Sequence, residues 1–171
     1  LVFSGNEGLY LREEVRFLIS FLRSVANFDD SVSFYHLSIS PTYQLSVRDL
    51  TLCMNYASRR NRSLFYVFSH LSGIPELEEE VSPEGKTIID RVIRDLGEYA
   101  DLSIKRSTGE VLYEFITKNG YLKRLISSPS PSDEEKVKNI ARFFDIIRST
   151  SIINCEIFLG RFPPQSRALV K

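Results

Sequence analysis

Arg12–Ser31, REEVRFLISFLRSVANFDDS, is the stretch that decides the fold. Its apolar residues recur at three- and four-residue steps, which places them on one stripe of a helix: Val15, Leu18, Ile19, Leu22, Val25 and Ala26. Phe17 and Phe21 widen this face, so we expect the helix to be covered on more than one side. Asn27 and the acidic pair after it predict its end, because such side chains hydrogen-bond the backbone of turns. The pattern predicts the central helix of an all-helical core.

Helical spacing continues through most of the remaining chain, interrupted by serine-led helix starts. Five serines precede apolar-periodic segments as candidate N-caps: Ser46, Ser63, Ser82, Ser107 and Ser132. Three of them have an acid three residues later, the capping-box spacing. Gly97, inside the helix expected after Ser82, predicts close packing. The acidic run Glu76–Glu80 is interpreted as a solvated loop. The sequence therefore predicts an all-α domain of about seven or eight helices.

Composition excludes several classes of function. The chain has 171 residues with 22 basic and 22 acidic side chains, so no global field attracts nucleic acid or an anionic membrane. No apolar run reaches the length of a membrane span, and no secretory leader is visible. Cys53 and Cys155 are interpreted as reduced thiols of a cytosolic protein, and His36 and His70 are isolated. We therefore expect no metal site and no membrane partner.

The sequence also lacks the motifs of the common catalytic centres. It contains no GxxxxGK[ST] loop for nucleotide phosphates, no GxSxG and no HExxH. We therefore predict no catalytic residue and no cofactor within this chain.

Local positive charge is the remaining candidate for binding. Arg59, Arg60 and Arg62 lie together at a predicted helix end, where they could hold phosphates or simply complement the helix dipole. Weaker candidates are Lys123 and Arg124, and, on a later predicted helix, Lys136, Lys138 and Arg142. Tyr43 could pack against a sugar or base, or be an ordinary buried tyrosine.

Three stretches carry a resemblance to a known family. The first is FSGNEGLYLREEVRFLISFLRSVANFDDS; the others are YHLSISPTYQLSVRDL and, between Gly120 and Arg148, GYLKRLI with EEKVKNIARFFDIIR. They resemble the accessory subdomain, called 2B, of superfamily 1 DNA helicases of the UvrD, Rep and PcrA kind. The matching residues of the first stretch are Gly5, Tyr10, Arg12, Glu14, Val15, Leu22, Arg23, Asn27, Asp29 and Asp30.

The resemblance implies a helical, swivelling module that contacts duplex or forked DNA in an intracellular, three-prime to five-prime helicase. ATP and Mg²⁺ would be cofactors of the parent motor, and the partners would be DNA, the rest of that motor and a repair or replication protein. Gly5, Arg12 and Glu14 would belong to the hinge-side motif, the last two as an ion pair. Residues 1–10 would be the motor connection, 11–150 the accessory subdomain, and 151–171 a segment returning to the motor. The apolar ends also suggest a piece of a longer polypeptide.

One departure from the family pattern concerns the predicted duplex contact. Family members carry a glycine-rich Thr-Pro-x-Arg-Gly-Ile-Gly stretch, whereas Pro41–Leu45 and its preceding serine read SPTYQL. Without glycine the backbone cannot approach phosphate as closely. The alternative function is a helical protein–protein interaction module, for which an exposed apolar patch near Ile152–Phe162 would be the expected feature.

Overall fold

The computed structural model describes residues 6–149, and the fold is all-α. Those residues form ten α-helices and one short 3₁₀ turn, with no strand among them. The helices are α1 (Glu7–Tyr10), α2 (Glu13–Ala26), α3 (Ser31–Ser38), α4 (Val47–Arg59), α5 (Leu64–Ser69), α6 (Pro75–Glu80), α7 (Pro83–Lys105), α8 (Thr108–Lys118), α9 (Tyr121–Ser127) and α10 (Pro131–Ser149), and the 3₁₀ turn is Leu71–Gly73. The predicted all-α class is confirmed, but the described residues form ten helices rather than the seven or eight predicted, because helices as short as α1 and α6 contain too few residues for an apolar period. Leu1–Phe3, Gly5, Cys155 and the expected patch at Ile152–Phe162 lie outside the described residues.

Helix α2 is the centre of the fold, as its sequence predicts. It packs against α3, α7, α8 and α10, so it is covered on several sides. Val15, Leu18, Phe21 and Leu22 are fully buried. The helix ends at Ala26, and the Asn27 side chain accepts a hydrogen bond from the backbone N–H two residues later. The turn chemistry of that asparagine therefore ends the helix as expected.

Aromatic rings fill the space between α2 and the helices on one side of it. Phe21 stacks on Phe115 of α8 with ring centroids 3.6 Å apart, and Tyr99 of α7 meets Phe21 edge-on at 5.2 Å. Phe17 meets Tyr121 of α9 edge-on at 5.0 Å. Burial raises the pKa of Tyr99 and of Tyr121 to about 12 in each case. This cluster joins four helices through one apolar centre.

Four of the five predicted serine caps are confirmed, and Ser46 is one of them. Ser63, Ser82 and Ser107 each accept a hydrogen bond from the backbone N–H three residues later, and Ser107 with Glu110 forms a complete capping box. Ser132 does not cap α10. That helix begins at Pro131, and the carbonyl of Ser130 accepts its first backbone hydrogen bonds. Proline suits the first helical position, since its missing N–H has no intrahelical partner there.

Asp49 connects the starts of two helices that are distant in sequence. Its position three residues after Ser46, the cap of α4, predicts a local capping box. The buried carboxylate accepts a hydrogen bond from Ser46, and it also accepts two from Ser82, the cap of α7. The bond from Oγ of Ser82 is 2.6 Å long and the bond from its backbone N–H is 3.1 Å long. Burial raises the pKa of Asp49, but the hydrogen bonds donated by Ser82 and Ser46 outweigh it and leave that pKa below its ordinary value. One carboxylate thus serves two N-caps.

Two sequence predictions are wrong, one about the acidic run Glu76–Glu80 and one about Gly97. Glu76–Glu80 is not a loop: it belongs to α6, which begins with Pro75 and buries Leu77. Leu77 is the one buried residue of this short helix, so its sequence shows no apolar periodicity from which a helix could be predicted. Gly97 has nothing within 4 Å of the position a Cβ would take, so it does not mark close packing. Close packing occurs instead at Gly85, where an added Cβ would lie 2.9 Å from Cγ of Asp49.

No helix within residues 6–149 combines the length and apolar character needed to span a bilayer. Cys53 is buried without a disulfide partner in that range, and burial raises the pKa of its thiol to about 12. Nor does that range hold three or more His, Cys, Asp or Glu side chains grouped as a metal would require.

Candidate nucleic-acid interface

The turn between α4 and α5 positions the three candidate arginines. Asn61 adopts a left-handed backbone with φ 49°. The N–H of Arg62 bonds the carbonyl of Ala57 at 2.9 Å, and the N–H of Asn61 bonds that of Ser58 at 3.3 Å. These two bonds define a Schellman motif, and asparagine tolerates the left-handed position better than most residues. The motif reverses the chain between Arg60 and Arg62.

The three arginines have different surroundings. Arg59 lies 4.0 Å from the Glu76 carboxylate of α6, and both side chains are exposed. Arg60 instead covers the ring of Tyr56, one turn back on α4, with Cζ 5.7 Å from the ring centroid. Neither Arg60 nor Arg62 belongs to any ion pair found within residues 6–149. The acidic helix α6 therefore offsets part of the cluster's charge, and Arg60 and Arg62 have no carboxylate partner in the described part of the chain.

Arg62 begins a column of stacked side chains along α5. Its Cζ lies 4.8 Å from the centroid of the Tyr66 ring. The His70 ring stacks on the same tyrosine at 4.2 Å with an interplanar angle of 23°. The Nδ1 atom of His70 is 2.8 Å from the carbonyl oxygen of Tyr66, and since a carbonyl only accepts, Nδ1 is the donor. We call Arg62, Tyr66 and His70 the α5 column.

Tyr43 is buried rather than available to a ligand. Its side chain is 3% exposed, and its hydroxyl donates to Oδ2 of Asp95 on α7 at 3.0 Å. The Arg91 guanidinium covers its ring at 5.2 Å. Burial, followed by the Asp95 charge, raises the pKa of Tyr43. The tyrosine thus anchors its loop to α7, which is the ordinary buried role that the sequence left open.

The Pro41–Leu45 loop contains a left-handed residue although it has no glycine. Gln44 adopts φ 55°, and its side-chain amide donates to the carbonyl of Pro41 at 2.9 Å. The glutamine side chain therefore folds back onto the turn, at a left-handed position where a glycine would place no side chain.

The remaining candidates lie on other parts of the surface. Lys123 and Arg124 are exposed on α9, and Arg124 covers the Tyr121 ring at 5.4 Å. α9 packs against α8 and α10, whereas α4 packs against α5 and α6. Helix α4 also separates the arginine turn from the Pro41–Leu45 loop by its length, ~20 Å at the usual rise per residue. The structure does not gather all the sequence candidates into one patch.

The two described residues of the hinge-side motif do not form the expected ion pair. Arg12 precedes α2 and is exposed, and no ion pair within the described range includes it or Glu14. Glu14 is 4% exposed, and its Oε1 accepts from Nδ2 of Asn139 on α10 at 2.7 Å. The carboxylate joins α2 to α10. Gly5 is not among the described residues.

Sequence reasoning missed the aromatic half of this surface. Tyr56 stands four residues before Arg60, and Tyr66 stands four residues after Arg62. That spacing brings side chains together on adjacent helical turns. This spacing is the signal that the sequence contains, but it does not show whether the tyrosine ring lies at the surface or in the core.

Comparison with known proteins gives a distant similarity to helicases. The chain is 24% identical over 142 residues to the ATP-dependent DNA helicase PcrA of Staphylococcus epidermidis, and 25% identical over the same length to PcrA of Staphylococcus aureus. In each case the match covers 83% of this chain but 19% of the relative. No protein-family model matches. The chain therefore spans about a fifth of the length of the curated relatives it matches.

Proposed function

We propose that this chain is the helical accessory part of an ATP-dependent DNA helicase, where it contacts duplex or forked DNA and modulates unwinding. The similarity to PcrA over most of the chain carries this proposal. The all-α architecture agrees with it. The absence of a phosphate-binding loop from the sequence supports an accessory rather than a motor role.

Within this proposal the chemistry of unwinding belongs to other parts of the same protein. ATP and Mg²⁺ would be bound by the motor, which is also the first partner of this chain. A repair or replication protein is the further partner that such a role would serve. The expected movement is a rigid-body swivel, because α2 ties the surrounding helices into one core.

The balance of charges sets the expected strength of DNA binding. With equal numbers of basic and acidic residues, attraction must come from local groups such as Arg60 and Arg62. We expect the isolated chain to bind in the non-specific range, with Kd of about 10⁻⁴ to 10⁻⁶ M.

A salt titration tests the proposal. Binding of the 171-residue chain to a fluorescent forked duplex is followed by anisotropy. Affinity should fall with rising salt, because contacts to phosphates release counterions. Replacing Arg60 and Arg62 by glutamine should reduce the slope of log K against log[salt] by ~1–2. A chain that binds the fork at no salt concentration would refute the proposal.

The matched control removes two exposed cations elsewhere, with Lys105→Gln on α7 and Arg148→Gln on α10. This variant loses the same net charge as the Arg60/Arg62 variant. If both lose affinity equally, the arginine turn has no special role in DNA contact. If only the Arg60/Arg62 variant weakens, the contact is local.

A further inference from the structure

The α5 column presents cationic and aromatic surface together. Arg62 precedes Tyr66 by four residues and His70 follows it by four, so the two partners approach the ring from opposite ends of α5. Tyr66 is 37% exposed, and both end members are exposed. The column therefore offers planar groups to solvent at its two ends.

The column is held in place before any ligand arrives. The Schellman turn at Asn61 fixes the backbone of Arg62, and the hydrogen bond from Nδ1 to the Tyr66 carbonyl fixes the His70 ring. Ordering of flexible side chains is a cost of binding, and here part of that ordering is already present. A preformed stack of this kind favours a planar ligand.

The positive charge of Arg60 and Arg62 indicates that the ligand is an anion. The guanidiniums of Arg60 and Arg62 stand on either side of the turn, each over a tyrosine ring, and neither belongs to an ion pair found within residues 6–149. These groups suit a ligand that carries negative charge together with exposed planar faces. Unpaired nucleic acid has both, whereas a duplex hides the faces of its bases inside the stack.

We propose that the α5 column, with Arg60 beside it, binds the unpaired strand of a DNA fork by stacking bases on its ends while the guanidiniums contact phosphates. This inference rests on the proposed function and adds to it a strand, a mode of contact and the residues Tyr66 and His70. Stacking of this type is tolerant of sequence, since every base has a planar face.

The test compares single-stranded with double-stranded DNA. Anisotropy measures binding of the full chain to a labelled oligothymidylate of about 20 nucleotides, longer than usual single-strand sites, and to a blunt duplex. Tyr66→Leu keeps an apolar side chain but removes the ring. Because the Tyr66 ring holds Arg62 and His70 in the column, its loss should disorder both end groups and weaken binding of the single strand by about tenfold, the usual range for loss of one stacked base. Duplex binding should not change.

Two control variants isolate the stacking. Tyr66→Phe keeps the ring and should bind the single strand as the wild type does. Tyr113→Leu removes another exposed tyrosine, 58% exposed on α8, and should also leave binding unchanged. Circular dichroism of each variant confirms that the helices remain.

The outcomes separate this inference from the proposed function. If the wild type binds the fork but Tyr66→Leu binds the single strand equally well, the column is not the contact and the accessory role still stands. If Tyr66→Leu and Tyr113→Leu weaken binding alike, the inference is also wrong. If the wild type binds no DNA, both proposals fail.

Discussion

Replacing Gly85 by alanine should destabilise this protein, although alanine is the better helix former. Gly85 is the third residue of α7 and lies under the carboxylate of Asp49. An added Cβ would stand 2.9 Å from Cγ of Asp49 and 3.1 Å from Oγ of Ser82. The Asp49 carboxylate must move away, and it then loses the hydrogen bonds that it accepts from Ser82.

The magnitude follows from those two hydrogen bonds. Each involves a charged acceptor and contributes ~1.5–3 kcal/mol, so losing both costs ~3–6 kcal/mol. The helix propensity of alanine returns at most ~1 kcal/mol. We expect the free energy of unfolding to fall by ~2–5 kcal/mol. Urea denaturation followed by circular dichroism measures this difference.

Gly97→Ala is the matched control, because it lies in the same helix with open space around the new methyl group. It should raise the free energy of unfolding by ~0.5–1 kcal/mol. A second control repeats Gly85→Ala in an Asp49→Ala background, where the clash with Asp49 is gone and the substitution should cost much less than in the wild type. If Gly85→Ala is stabilising in the wild type as well, the contact with Asp49 does not constrain this position.

Three further predictions concern acid, the arginine turn and the core. The pKa of Asp49 is lower in the folded than in the unfolded protein. Ionised Asp49 therefore contributes fully to the free energy of unfolding above the unfolded pKa of about 4, and this contribution is lost as the pH falls below that pKa. Asp49→Asn should therefore reduce the loss of stability at acid pH in a curve of stability against pH. Asn61→Ala should cost ~1 kcal/mol in urea denaturation because φ is positive there, whereas Asn61→Gly should cost nothing. Phe21→Ala should cost ~3–5 kcal/mol, since Phe21 is fully buried against Phe115; a loss under ~1 kcal/mol would mean that the site collapses around the cavity.

The sequence correctly predicted those features of the fold that depend on residues close together in the chain. Ser107 and Glu110 form their box within four residues, and the apolar stripe of α2 needs only helical spacing, so both could be recognised without coordinates. Asp49 could not be assigned in the same way. Its spacing from Ser46 is that of a local box, but its second partner is the cap of a helix 33 residues further on.

In the candidate site, too, the sequence revealed the residues that are close along the chain but not their partners from distant helices. The arginines were visible as a charged cluster, but their partners were not, because only the folded chain places Glu76 beside Arg59. Tyr43 and Glu14 have polar groups that suggest surface roles, yet each is buried with one partner on a distant helix. Burial of a polar side chain depends on that partner, which periodicity does not reveal.

The shared carboxylate of Asp49 also has a dynamic consequence. Helix ends normally fray independently, each at its own rate. Here the opening of the first turn of α7 strips Asp49 of two donors, and the opening of α4 deprives Ser82 of its acceptor. The backbone amides of Asp49 and Gly85, both bonded to the capping serines, should therefore exchange with solvent deuterium at closely coupled rates.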